Sequence, residues 1–125
     1  MPKRVLIIEG DIESGQNLLD MTRKSGLEAD LCLKVGEGLG KLVQIPYSCV
    51  VLDMDRVEIS PLDALSALKG ISPKIYIIAM TQKDEIDFEK EIRMGGIFYY
   101  LTKPIEEKEY EEVLRRASSL TRWEE

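Results

Sequence analysis

Short, uninterrupted apolar runs alternate along this chain with stretches whose apolar positions recur every three or four residues. Val5-Leu6-Ile7-Ile8, Cys49-Val50-Val51-Leu52 and Ile75-Tyr76-Ile77-Ile78-Ala79-Met80 lack polar alternation. That pattern predicts strands buried on both faces, as in a parallel sheet covered by helices. Glu28 to Leu33 instead alternates charged with apolar residues, which suits a strand at a sheet edge, and Ile97 to Leu101 supplies a last strand.

Between these runs the helical period takes over. Ile12 to Ser25 carries Leu18, Leu19, Met21 and Thr22 and stops at Gly26, a residue suited to the position just past a helix end. Lys34 to Ile45 spaces Val35, Leu39, Leu42 and Val43 helically. Gly36, Gly38 and Gly40 interrupt it, each at a cost of about 0.5–1 kcal/mol relative to Ala. A short, mobile helix ended by Pro46 is expected. Ser60-Pro61-Leu62-Asp63 combines a Ser N-cap, Pro at N1 and an acid at N3, and Leu62, Leu65 and Leu68 are expected to face the core as far as Gly70. A helix from about Asp84 to Met94 ends at Gly95-Gly96. The final one, from near Glu106, is expected to bury Tyr110, Val113, Leu114, Ala117 and Leu120.

Five strand-helix units in strict alternation predict one α/β domain, a doubly wound sheet with helices on both faces. The 125 residues, 44% hydrophobic and 32% charged, suit one globular domain with its own core. The longest apolar run is far shorter than the roughly 20 residues of a membrane span. Met1-Pro2-Lys3-Arg4 leads directly into the first strand, so a cytoplasmic protein without a signal peptide and without membrane attachment is expected. A net charge of −6 argues against direct nucleic-acid binding, which needs a basic surface. Cys32 and Cys49 lie in apolar segments and read as buried, reduced thiols. With no histidine in the chain, imidazole catalysis and histidine metal ligation are excluded, and any metal must be held by oxygens.

The candidate chemistry lies where strands end. Glu9, Asp53, Thr81 and Lys103 each follow an apolar run. In open α/β sheets ligands bind beyond the carboxyl ends of the strands. Two acids, a hydroxyl and an ammonium around one crevice suit phosphoryl chemistry: a carboxylate nucleophile, a cation site, and two groups to hold phosphoryl oxygens.

Over essentially its whole length the chain resembles the receiver domains of bacterial two-component response regulators. The matching pieces are Val5 to Glu9, Val50 to Asp53, Ile77 to Thr81 and Tyr100-Leu101-Thr102-Lys103-Pro104-Ile105, and the intervals between them agree with the family pattern. The resemblance implies a flavodoxin-like (βα)5 fold with parallel strand order 2-1-3-4-5 over residues 1–120, leaving 121–125 as a tail or linker stub. It implies a phosphoacceptor switch rather than an enzyme. Asp53 would take a phosphoryl group from a histidine kinase or phosphotransfer protein with the help of Mg²⁺. Thr81 would be the switch hydroxyl, Lys103 the phosphoryl-binding cation and Tyr100 the switch aromatic, turning inward once Thr81 moves. Lys103-Pro104 would be a cis peptide bond. Glu9, Asp53 and the backbone carbonyl of Asp55 would hold the metal. A downstream effector, or a second copy in a homodimer, would dock on the fourth helix, last strand and fifth helix.

Two departures stand out. Where the family has two adjacent acids this chain has Glu9-Gly10, with Asp11 one place later as a candidate substitute, so weak Mg²⁺ binding is expected and Gly10→Asp is expected to strengthen it. Val57 replaces the Pro usual four residues after the acceptor. These departures keep a second reading open, a degenerate receiver that docks partners without phosphorylation. A flavin or nucleotide enzyme on the same fold is disfavoured, since Gly10 and Gly15 match neither a P-loop nor a GxGxxG motif.

Overall fold

A computed structural model of the chain describes residues 3–120. The expected tail, 121–125, lies outside them. Five strands, β1 (Arg4–Ile8), β2 (Glu28–Cys32), β3 (Cys49–Asp53), β4 (Tyr76–Thr81) and β5 (Tyr99–Thr102), alternate with α1 (Ile12–Lys24), α2 (Val35–Gln44), α3 (Pro61–Ile71), α4 (Ile86–Met94) and α5 (Glu107–Leu120). All strand pairs are parallel and the order is β2-β1-β3-β4-β5, as expected.

Side-chain alternation along the central strands builds the two layers. Leu6, Ile8, Val50, Leu52 and Ile77 point to one face, where they pack with Val35, Leu65, Leu68 and Ile92 of α2, α3 and α4. Val5, Ile7, Val51, Ile78 and Met80 point to the other, against Leu18 and Leu19 of α1 and Tyr110, Val113 and Leu114 of α5. Both faces of the central strands are therefore apolar, which is why their sequences read as unbroken runs. Cys32 and Cys49 are free thiols within these layers. Among the described residues no helix is long and apolar enough to cross a membrane.

Caps agree closely with the sequence. Ser60 accepts from the Asp63 N–H at the start of α3, with Pro61 at N1, and Gly26 comes after α1 at φ +84°. Helix α2 keeps its full length despite its glycines, and Gly38 has a positive role. A β-carbon there would come within 2.6 Å of Ile8 Cδ1, so glycine lets α2 settle onto β1. The N-terminus of α2 has no side-chain cap of its own. Instead Glu58, from the loop after β3, accepts from the Val35 and Gly36 N–H groups at 2.9 and 3.1 Å.

Two expected core positions are corrected: Leu62 and Leu120 are exposed. Each lies on the solvent side of a helix whose other apolar residues already fill the sheet-facing stripe.

Strand register aligns the ends of the strands. Asp53 is level with Met80, and Thr81 with Thr102. Glu9, Asp53, Thr81 and Lys103 thus stand at one sheet edge, beside a cleft of about 290 Å³ between α1 and the loop after β5 that Glu9, Arg56 and Lys103 help to line.

Candidate functional site

Asp53 ends the central strand β3, and its side chain has no exposed surface. Its Oδ1 accepts from the Asp55 N–H at 2.8 Å, and its Oδ2 accepts from Lys103 Nζ at 2.8 Å. Glu9, also buried, follows the end of β1 and stands beside Asp53, with one carboxyl oxygen accepting from the Asp11 N–H at 2.8 Å. Two carboxylates so close do not both ionise in a dry site. Burial, reinforced by the neighbouring Asp53 carboxylate, holds the Glu9 carboxyl well above the ordinary range. Burial also raises Asp53, but the Glu9 carboxyl, the Lys103 ammonium and the Asp55 N–H outweigh it and leave that carboxyl below its usual value. The Glu9 carboxyl thus holds a proton more tightly than that of Asp53. Lys103 is held charged: burial pulls it down, and the carboxylates of Asp53 and Asp55 more than compensate.

The remaining donors converge on Asp55. Its backbone is exposed, while its side chain, 17% exposed, turns in toward the site. Oδ1 accepts from the Thr81 hydroxyl at 2.7 Å, Oδ2 accepts from the Gln82 N–H at 2.8 Å, and Lys103 Nζ lies 3.3 Å from Oδ2. The Thr81 hydroxyl also accepts from the Lys83 N–H, and the Tyr100 hydroxyl donates to the Lys83 carbonyl at 3.0 Å. One peptide chain segment thus joins Thr81 to Tyr100. The ring of Tyr100 is already buried, 7% exposed, with the Arg93 guanidinium over it. The expectation that it turns inward only after Thr81 moves does not describe this state. The Lys103-Pro104 bond is cis, as expected.

Gly10 and Asp11 are explained by their neighbours. A β-carbon on Gly10 would overlap the carbonyl oxygen of Arg56, so the loop after β3 occupies the space of a side chain at position 10. Asp11 caps α1 by accepting from the Ser14 N–H, and its other oxygen faces Arg56 Nη1 at 3.7 Å. Its carboxylate is engaged there rather than at Asp53. Among the described residues no three acids, cysteines or histidines cluster as a metal cage. What remains beside Asp53 is the Glu9 carboxyl, so the donors there are hard oxygens. That donor set suits Mg²⁺, which takes one or two carboxylates and fills its octahedron with water and substrate oxygens.

Sequence reasoning missed Gln82, Arg56 and Glu58. Gln82 acts through its backbone N–H, which any residue would supply. Arg56 was legible only indirectly, through a glycine standing where the family that the chain resembles has an acid, a sign of close backbone approach.

Comparison with known proteins bears on the family and the fold. Residues 5–115 match the family described as response regulator receiver domain. The cell cycle transcriptional regulator CtrA of Caulobacter vibrioides is 30% identical over 109 residues, 85% of this chain and 46% of that protein. The transcriptional regulatory protein ZraR of Salmonella typhimurium is 24% identical over 118 residues, 94% of this chain but 27% of that protein. The chain thus spans about a quarter to a half of the curated relatives it matches. Among solved structures, a Francisella response regulator 1452 receiver domain superposes with a TM-score of 0.88 at 19% identity, covering 96% of this chain and 99% of that one. The receiver domain of sensor histidine kinase PA1611 from Pseudomonas aeruginosa, which carries a magnesium ion in its active site cleft, superposes with a TM-score of 0.84 at 17% identity, covering 95% and 99%. At these identities the structures establish the shared fold.

Proposed function

The chain belongs to the response regulator receiver domain family, and from that premise we propose that Asp53 is its phosphoacceptor. Receiver domains are phosphoacceptor switches rather than conventional enzymes, and response regulators work with histidine kinases and downstream effectors. The observation that carries the assignment is geometric: Asp53 ends β3 with one carboxylate oxygen held by Lys103 Nζ at 2.8 Å and the other by the Asp55 N–H at 2.8 Å. An ionised carboxylate is the form able to attack phosphorus.

In the proposed reaction an Asp53 oxygen bonds to phosphorus as the bond from phosphorus to a donor nitrogen breaks. The electron pair of that bond leaves with the donor imidazole, which takes a proton from solvent, and an acyl phosphate remains on Asp53. Lys103 neutralises one phosphoryl oxygen and Thr81 donates its hydroxyl to another. Glu9, Asp53 and the Asp55 carbonyl would hold Mg²⁺, whose charge offsets that of the phosphoryl oxygens. Weak binding is expected of that set, since Gly10 offers no second acid and Asp11 serves α1.

The Lys83 peptide, tied to Thr81 on one side and Tyr100 on the other, relays the change toward α4, β5 and α5. Ile86 and Met94 are exposed on α4 and suit an effector or a second copy. A histidine-kinase partner implies a cytoplasmic domain.

One observation favours a second reading, a degenerate receiver acting as a docking module: the Asp53 side chain is fully covered. Intact mass after incubation with acetyl phosphate and Mg²⁺ separates the two. One phosphoryl group on the native protein and none on Asp53→Asn supports the acceptor, and no gain on either protein supports the module.

A further inference from the structure

We propose that the Asp55 carboxylate is an internal ligand of the phosphoryl site, holding the donors that an incoming phosphoryl group would need. The inference rests on the phosphoacceptor reading above. Its basis is a coincidence of partners. The groups assigned to phosphoryl oxygens are the Thr81 hydroxyl and the Lys103 ammonium, and both already face Asp55, at 2.7 and 3.3 Å, with the Gln82 N–H added at 2.8 Å. A carboxylate presents two anionic oxygens to these donors, as a phosphoryl group presents three. Hydrogen bonds to an ionised acceptor are the strong kind, and inside a largely covered site they persist.

The competing demand explains why Asp55 stays there. Lys103 lies between two carboxylates, 2.8 Å from Asp53 and 3.3 Å from Asp55. One ammonium bridging two acids neutralises part of both charges, and swinging Asp55 outward would strand the Thr81 hydroxyl and the Gln82 N–H until another anion took its place. A phosphoryl group on Asp53 is such an anion. It would repel Asp55 electrostatically while offering replacement oxygens to the same donors. Departure of Asp55 and arrival of the phosphoryl group are therefore one exchange.

This exchange has two consequences. Access to Asp53 is gated by Asp55, consistent with an acceptor side chain that has no exposed surface. The hydrogen-bonded run from Asp55 through Thr81 and the Lys83 peptide to Tyr100 is complete without a phosphoryl group, so the buried Tyr100 ring is held by an internal anion.

Nuclear magnetic resonance on ligand-free native protein, Asp55→Ala and Asp55→Asn tests this, with subsequent titration by beryllofluoride and Mg²⁺. Position 55 keeps its backbone carbonyl in both variants, and the Asn side chain guards against loss of fold. The expected results are an upfield move of the Gln82 amide proton in Asp55→Ala and beryllofluoride affinity at least tenfold above the native protein. Asp55→Asn, which keeps one accepting oxygen but loses the charge facing Lys103, should fall between. An unmoved Gln82 amide, or beryllofluoride affinity in Asp55→Ala equal to or below the native value, would overturn the proposal. Failure of the phosphoacceptor reading looks different: the Gln82 and affinity changes would appear, yet acetyl phosphate would add no mass to any of the three proteins.

Discussion

The carbonyl oxygen of Arg56 stands where a side chain on Gly10 would begin. The missing second acid and the course of the loop after β3 are thus one feature: glycine at position 10 admits the loop, and the loop leaves no room for a carboxylate.

Replacing Gly10 therefore tests packing before it tests metal binding. The obstructing atom is backbone rather than the end of a flexible side chain, so Gly10→Ala and Gly10→Asp should each lose about 1–3 kcal/mol of stability, the usual range for overpacking. Urea unfolding measures it. The expectation that Gly10→Asp strengthens Mg²⁺ binding gives way here: the acid comes only with a displaced loop, and affinity should not rise. Native stability in Gly10→Ala would contradict the account.

Glu58 offers a test of the link between the acceptor loop and α2. Its carboxylate serves two N–H groups at the uncapped start of that helix, and Glu58→Ala should cost about 1 kcal/mol, as loss of an N-cap does. Partial desolvation raises this carboxyl, but the Val35 and Gly36 N–H groups outweigh it and leave it below the ordinary Glu value. A group depressed in the folded state stabilises fully above its unfolded value and loses that contribution as pH falls through the folded one. The difference between native protein and Glu58→Ala should accordingly shrink as pH falls from above the ordinary Glu value to below it, because protonation there removes the charge that makes the cap strong. A difference independent of pH would show that Glu58 does not act as an ionised cap.

The strand alternation, the helix starts and the gathering of Glu9, Asp53, Thr81 and Lys103 were legible in the sequence because each depends on local pattern. Apolar runs declare buried strands, and the residue after each run lands at one sheet edge whatever the loops do. What the sequence hid depends on which loop meets which. The Glu58 cap joins residues 22 and 23 positions apart, and Asp55 turns its carboxylate toward Thr81 from 26 positions away. Leu62 and Leu120 misled for a different reason: helical period identifies a stripe, but not how wide a stripe the sheet can cover.

Lys103 should matter to both stability and phosphorylation. Removing one partner of a fully buried ion pair costs about 3–5 kcal/mol. Lys103→Met should cost less, about 1–3 kcal/mol, because Lys103 is 20% exposed and Asp53 can take a proton instead. Phosphorylation by acetyl phosphate should slow at least tenfold, since the acceptor then loses its countercharge and the phosphoryl group its cation. Unfolding and single-turnover mass measurements check the two parts, and an unchanged rate would remove Lys103 from the site.

Thr81→Ala should separate phosphorylation from its readout. The variant keeps Asp53, Lys103 and Glu9 but breaks the path through the Lys83 peptide to Tyr100. Amide shifts on α4, β5 and α5 that accompany beryllofluoride binding in the native protein should be lost, while shifts around Asp53 persist. Equal responses on that distant face would place the coupling elsewhere.

The assignment of Asp53 is tested most directly by reducing the acetyl-phosphate-treated protein with borohydride and mapping its peptides, since an acyl phosphate on aspartate is converted to homoserine where it formed. The account predicts homoserine at position 53 alone in native protein, more of it in Asp55→Ala, and none in Asp53→Asn. Homoserine at Asp55, Asp11 or any other acid, or no conversion in both the native protein and Asp55→Ala, would contradict it.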